Sequence, residues 1–139
     1  MKSLAPTFSA FLLFVILSCN AQTATNIKVI DPVSFKKEIS TTPNAQILDV
    51  RTAEEFTVEH LQNAENVNWQ SPDFSTNTSK YDKSKPVFLY CRSGKRSHLA
   101  AEKLVELGFT TIFEMEGGII NWTAKGLSKP AEKKTIISY

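Results

Sequence analysis

The chain has 139 residues, 42% hydrophobic and 22% charged, which suits one packed domain of ordinary size and excludes a disordered chain. A formal net charge of only +2 argues against nucleic acid held by a broad basic surface. One cysteine pair, Cys19 and Cys91, and two scattered histidines, His60 and His98, do not make a metal site. No metal and no organic cofactor is expected.

Lys2 gives the N-terminus a positive start, and the apolar run from Phe8 to Leu17 has signal-peptide length, short for a membrane span. Ile16-Leu-Ser-Cys19 resembles the lipobox of bacterial lipoproteins, whose cysteine is lipidated and becomes the mature N-terminus. Residues 1–18 are therefore expected to be a signal peptide. Lipidation at Cys19 would follow, with export to the cell envelope or periplasm and a lipid anchor in the membrane. Ordinary secretion after a small-residue site at Cys19-Asn-Ala21, or a retained N-terminal anchor, are the alternatives. Residues 19–26 read as a linker, 27–128 as the domain and 129–139 as a solvated tail.

Within the domain, Ile27 to Ile30 reads as a first strand. Asp31-Pro32 starts a short helix, with Asp at the cap and Pro in the first turn, carried by Val33, Phe35 and Ile39. Thr41 to Asn44 is a turn, and Gln46 to Val50 a second, buried strand that ends at Asp49 and Arg51. Thr52 with Glu55 three residues on forms a capping box for the next helix. A third short strand is expected around Val67, between Asn63 and Trp69, and Ser71 to Lys85 reads as a polar loop with one weak helical turn.

Val87 to Tyr90 is a short β-rich run with the length of a strand buried on both faces. From Ser97 the period becomes helical: Ala100, Ala101, Leu104 and Val105 share a stripe, Glu102, Lys103 and Glu106 point away, and Gly108 stops the helix. Thr111 to Glu114 reads as a strand, Gly117-Gly118 as a turn, and Ile119 to Lys125 as a short helix with Trp122 facing inward. Strands alternating with helices predict an α/β fold, a parallel sheet with helices on both faces, whose ligands bind beyond the carboxyl ends of the strands. Cys91, Asp49 and Arg51 fall at that rim.

The loop Cys91-Arg92-Ser93-Gly94-Lys95-Arg96-Ser97 thus joins a strand to a helix, with a thiol at its first position. Backbone N–H groups of the loop and of the helix start would converge above Cys91 and favour thiolate. Arg92, Lys95 and Arg96 stand where the helix dipole disfavours positive charge, an arrangement that makes sense if an anion occupies the loop. With no second cysteine in the domain an internal disulfide is impossible, so this single thiol is expected to be reactive.

That loop resembles the active-site loop of rhodanese-type sulfurtransferases. Ile47-Leu-Asp-Val-Arg51 with Thr-Ala-Glu-Glu-Phe56, Glu59-His-Leu-Gln-Asn-Ala64 with Asn66-Val67, and Glu116-Gly-Gly-Ile-Ile-Asn-Trp122 match the family's other segments in order. Glu59 and Asn63 depart from it, standing where the pattern usually has glycine. The resemblance implies a rhodanese-like fold and a Cys91 persulfide, formed from a small anionic donor such as thiosulfate and discharged to cyanide or a thiol. Backbone N–H groups from Arg92 to Ser97, including Ser93 and Gly94, would hold the sulfur anion, and Arg92, Lys95 and Arg96 would orient the donor. Asp49 and Arg51 are read as a supporting ion pair or loop brace, and His60 as a hydrogen-bonded structural residue. Two other readings stay open. One is phosphatase or arsenate-reductase chemistry on the related Cys-x5-Arg loop, although here only four residues separate Cys91 from Arg96. The other is a non-enzymatic module that carries sulfur or docks with a partner.

Overall fold

The computed structural model describes residues 27–127. The expected signal peptide, Cys19, the linker and the C-terminal tail lie outside the described residues. The elements are β1 (Ile27–Ile30), α1 (Pro32–Thr41), β2 (Gln46–Asp49), α2 (Ala53–Val58), β3 (Glu65–Asn66), α3 (Phe74–Thr78), β4 (Val87–Tyr90), α4 (Lys95–Glu106), β5 (Ile112–Met115) and α5 (Gly118–Ala124). The five strands form one sheet in the order β1-β5-β4-β2-β3, with every pairing parallel.

Alternate residues of the central strands feed two cores, as a sheet covered on both faces requires. Leu48, Val87, Leu89 and Ile112 pack with Ala100, Ala101 and Leu104 of α4. Ile47, Phe88, Tyr90 and Met115 pack on the other face with Phe35 of α1 and with Ile119 and Trp122 of α5. The α/β expectation, with helices on both faces, is what the chain adopts.

Local chemistry explains the helix starts. The Asp31 carboxylate accepts from the N–H groups of Val33 and Ser34 at 2.9 and 3.2 Å, capping α1. Thr52 and Glu55 form the predicted capping box, at 3.3 and 3.1 Å. Asn63 takes a left-handed φ of 63°, which asparagine tolerates better than most residues and which explains how it replaces a glycine. Glu59 has an extended φ of −158°, which any residue can adopt.

Several boundaries differ from the sequence expectations; β2 ends at Asp49 rather than Val50, and β5 covers Ile112–Met115 rather than Thr111 to Glu114. α4 begins at Lys95, not Ser97, because Gly94 turns the chain at φ 101° and Lys95 and Arg96 enter the first helical turn. Their polar side chains carry no apolar period that would reveal it. Gly118 is the first residue of α5, not merely part of a turn. β3 covers only Glu65–Asn66; Val67 lies beyond it, buried, with its N–H donating to Asp49 O at 2.9 Å. The single helical turn expected in the polar stretch from Ser71 to Lys85 is α3, anchored by buried Phe74, whose ring meets Trp69 edge-on at 5.0 Å.

Candidate active site

β4 is fully buried and delivers Cys91 directly to the rim of the sheet, where the Asp49–Tyr90 register places the end of β2 alongside. The cysteine is itself 1% exposed. Its sulfur accepts the Gly94 N–H at 3.1 Å, so the loop curls over its own first residue. Burial pushes the Cys91 thiol up, but the Ser97 hydroxyl and the N–H groups of Ser97, Ser93 and Gly94 outweigh it, and the thiol ends below its ordinary range. Local hydrogen bonds thus favour a thiolate in a site that burial alone would keep neutral.

The loop is fixed from below by α5. The N–H groups of Ile119 and Ile120 donate to the carbonyl oxygens of Cys91 and Arg92 at 2.9 and 3.2 Å. Gly118, at φ 60°, makes that approach possible: a Cβ there would lie 2.5 Å from both carbonyl oxygens. With those carbonyls turned toward α5, the N–H groups of Ser93, Gly94 and Ser97 are left to face the sulfur.

The cations divide into two kinds. Arg92 and Lys95 are exposed at the loop, as is Ser93. Arg96, expected to orient an anionic donor, forms a two-pronged pair with Glu55, at 2.7 and 2.8 Å. Arg96 holds the Glu55 carboxyl down at about 2, and its guanidinium ties the start of α4 to α2. Asp49 and Arg51 form a buried ion pair of 2.6 to 3.1 Å. Arg51 also donates to Glu59 O at 2.6 Å, and the Asn66 amide donates to the carbonyls of Asp49 and Arg51 at 3.0 and 2.8 Å. Asp49 and Arg51, read from sequence as an ion pair or loop brace, are thus paired with each other at the rim. His60 accepts the structural role expected of it, with Nδ1 2.9 Å from Phe56 O and its ring stacked on Phe56.

A groove of about 280 Å³ opens beside the loop, lined by the charged residues Arg51, Glu55, Glu59 and Arg92 together with Val58, Ile119 and Ile120. Among the described residues no group of three His, Cys, Asp or Glu side chains could hold a metal ion, and no helix is long and apolar enough to cross a membrane.

Sequence reasoning missed three participants. Glu55 was identified only as a capping residue, while its carboxylate also fixes Arg96. The α5 N–H groups are backbone, so side-chain identity could not announce them. Glu114 is buried at 3% exposure, where it accepts from the Ser97 hydroxyl at 2.8 Å; its signal was a lone charge in the otherwise apolar strand Ile112–Met115.

The Rhodanese-like domain family model matches residues 31–125. Among curated proteins, the chain is 34% identical over 87 residues to the thiosulfate sulfurtransferase GlpE of Coxiella burnetii, covering 63% of this chain and 79% of that protein. It is 32% identical over 118 residues to the uncharacterized protein YqhL of Bacillus subtilis, covering 85% and 89% of the two chains. The adenylyltransferase and sulfurtransferase UBA4 of Meyerozyma guilliermondii matches at 34% identity over 82 residues, 55% of this chain but 19% of that protein. The chain therefore spans about a fifth of the UBA4 length. Among solved structures, a rhodanese-related protein from Thermoplasma volcanium superposes with a TM-score of 0.66 at 24% identity, covering 76% of this chain and 99% of that one. A rhodanese-like domain protein from Staphylococcus aureus gives 0.65 at 26% identity, covering 77% and 99%. With the ordered motifs, the parallel sheet and the cysteine loop all in place, this chain belongs to the rhodanese-like domain family.

Proposed function

We propose that the domain moves sulfane sulfur from a small anionic donor, such as thiosulfate, to cyanide or a thiol through a persulfide on Cys91. The observation that carries this reading is the cysteine loop itself: a buried sulfur ringed by N–H groups, one of them 3.1 Å away, at the mouth of which Arg92 and Lys95 are exposed. The Cys91 thiolate attacks the outer sulfur of thiosulfate, a new S–S bond forms, the donor S–S bond breaks, and sulfite leaves with the electron pair. The acceptor then attacks the terminal sulfur and returns Cys91 to thiolate, a covalent two-step cycle. The inward N–H groups stabilise the sulfur anion in both resting states. Arg92 and Lys95 draw the donor in, while Arg96, held at Glu55, keeps the loop in shape.

A screen of donors and acceptors on the purified protein, with phosphate esters and arsenate included, tests the reading. Turnover of thiosulfate or another sulfane donor is expected; hydrolysis of phosphate esters or reduction of arsenate in its place would overturn it. The proposal extends to export and lipidation at Cys19, which the apolar run and the lipobox-like Ile16-Leu-Ser-Cys19 support. In a bacterial host the protein should take up labelled fatty acid, and Cys19→Ala should abolish the label. A soluble product still beginning at Met1 would refute export.

A further inference from the structure

Glu114 has no part in the cycle above, yet it sits directly behind the nucleophile. Its Oε1 accepts from the Ser97 hydroxyl at 2.8 Å, and its Oε2 lies 3.2 Å from Nδ1 of His98. The carboxylate side chain is 4% exposed, whereas His98 is 55% exposed. On the other side, Ser97 is the side chain whose hydroxyl stabilises the Cys91 thiolate. A continuous polar line therefore runs from the Cys91 sulfur through Ser97 and Glu114 to the imidazole of His98, which meets solvent.

A hydroxyl has one proton to give. Ser97 has three acceptors for it: Glu114, the Gly94 carbonyl at 3.0 Å, and the cysteine sulfur. A charged Glu114 competes with the thiolate for that proton, and its charge also opposes a second negative charge one hydroxyl away. The hydrogen bond from Nδ1 of His98 works the other way: it takes up part of the carboxylate's acceptor capacity and leaves the Ser97 proton more available to sulfur.

We propose that Glu114 and His98 are positioning residues that set, through Ser97, how readily Cys91 gives up its proton. Among the described residues, the groups around Glu114 are few. Its neighbours across the sheet are Val29 on β1 and Leu89 on β4, neither titratable. α4 contributes His98 and, 3.8 Å beyond the other ring nitrogen, Glu102; the loop contributes Cys91. Lys28 on β1 reaches over the Phe113 ring, whose side chain belongs to the opposite face of the sheet.

The inference builds on Cys91 as the sulfur-carrying nucleophile, but its test needs neither sulfur donor nor acceptor, so its failure is separate from failure of the proposed activity. The rate of iodoacetamide alkylation at Cys91 is measured against pH in the full chain, followed on the Cys91 peptide by mass spectrometry so that Cys19 does not contribute. Glu114→Gln, which keeps the shape and removes the charge, should lower the midpoint by about one pH unit, roughly tenfold in thiolate fraction below it. His98→Ala should raise the midpoint by about half a unit, because Glu114 then loses the His98 hydrogen bond and competes harder for the Ser97 proton. The double variant should match Glu114→Gln, since His98 acts only through that carboxylate. A midpoint unmoved or raised in Glu114→Gln, or a His98 effect that persists in the Glu114→Gln background, overturns the proposal. If Glu114→Gln does not fold, half-exposed His98 still decides: an upward shift in His98→Ala supports the line, and no shift or a downward one overturns it.

Discussion

Gly118→Ala should disturb the active loop more than any other single-methyl change in the chain. Gly118 has φ 60°, and an added Cβ would stand 2.5 Å from the carbonyl oxygens of Cys91 and Arg92 and 2.6 Å from the Arg92 carbonyl carbon. These are backbone atoms and cannot swing aside as a side-chain tip would. The left-handed conformation costs an L-residue about 1–2 kcal/mol, and forcing extra volume into a packed site costs about 1–3 kcal/mol more. Together they reach about 2–5 kcal/mol, a large part of the ~5–15 kcal/mol that holds a typical domain folded. Gly126→Ala is the control, because Gly126 has φ 64° but no atom within 4 Å of the added Cβ, so only the backbone penalty of about 1–2 kcal/mol applies. Urea unfolding compares the two, and alkylation of Cys91 reports on the loop. The Gly118 variant should lose more stability and change the alkylation rate, whereas Gly126→Ala should leave that rate alone. Equal losses with unchanged alkylation in both would show that the α5 contact does not shape the loop.

Lys95→Glu should weaken thiosulfate use with little effect on folding, since Lys95 is exposed, and the defect should shrink in added salt; unchanged donor kinetics would reduce Lys95 to a solvated charge. Glu55 has its carboxyl lowered from 4.5 to about 2, chiefly by Arg96, so its contribution to stability is complete above pH 4.5 and fades as the pH falls toward 2. Glu55→Gln should remove that part of the acid-unfolding profile, and a profile identical to wild type would refute the pairing. Asp49→Ala leaves the Arg51 guanidinium buried without its carboxylate and should cost about 3–5 kcal/mol in urea unfolding; a loss under 1 kcal/mol, typical of exposed pairs, would show that the brace is dispensable.

The fold was legible because its signals are local and periodic. β4 reads as an uninterrupted apolar run, α4 as an apolar stripe ended by Gly108, and the starts of α1 and α2 as caps whose hydrogen bonds the structure contains. The candidate nucleophile stood out for a similar reason, since a lone thiol between a strand and a helix start has few other uses. What stayed hidden depends on residues far apart in sequence. Arg96 meets Glu55 across 41 positions and Ser97 meets Glu114 across 17, and no spacing rule links such pairs. Arg96 consequently read as a donor-binding cation although its two N–H prongs are held by a carboxylate. The start of α4 was missed because Gly94, not an apolar residue, decides it.

The central claim is that Cys91 carries sulfur, and mass spectrometry tests it most directly. Protein treated with thiosulfate should gain one sulfur atom on the Cys91 peptide, cyanide should remove it with release of thiocyanate, and Cys91→Ser should do neither. With no second cysteine among the described residues, the persulfide has no neighbouring domain thiol to discharge it and should persist until an acceptor arrives. Full turnover by folded Cys91→Ser, or a folded wild-type protein that takes no sulfur from any of several donors, would contradict the account.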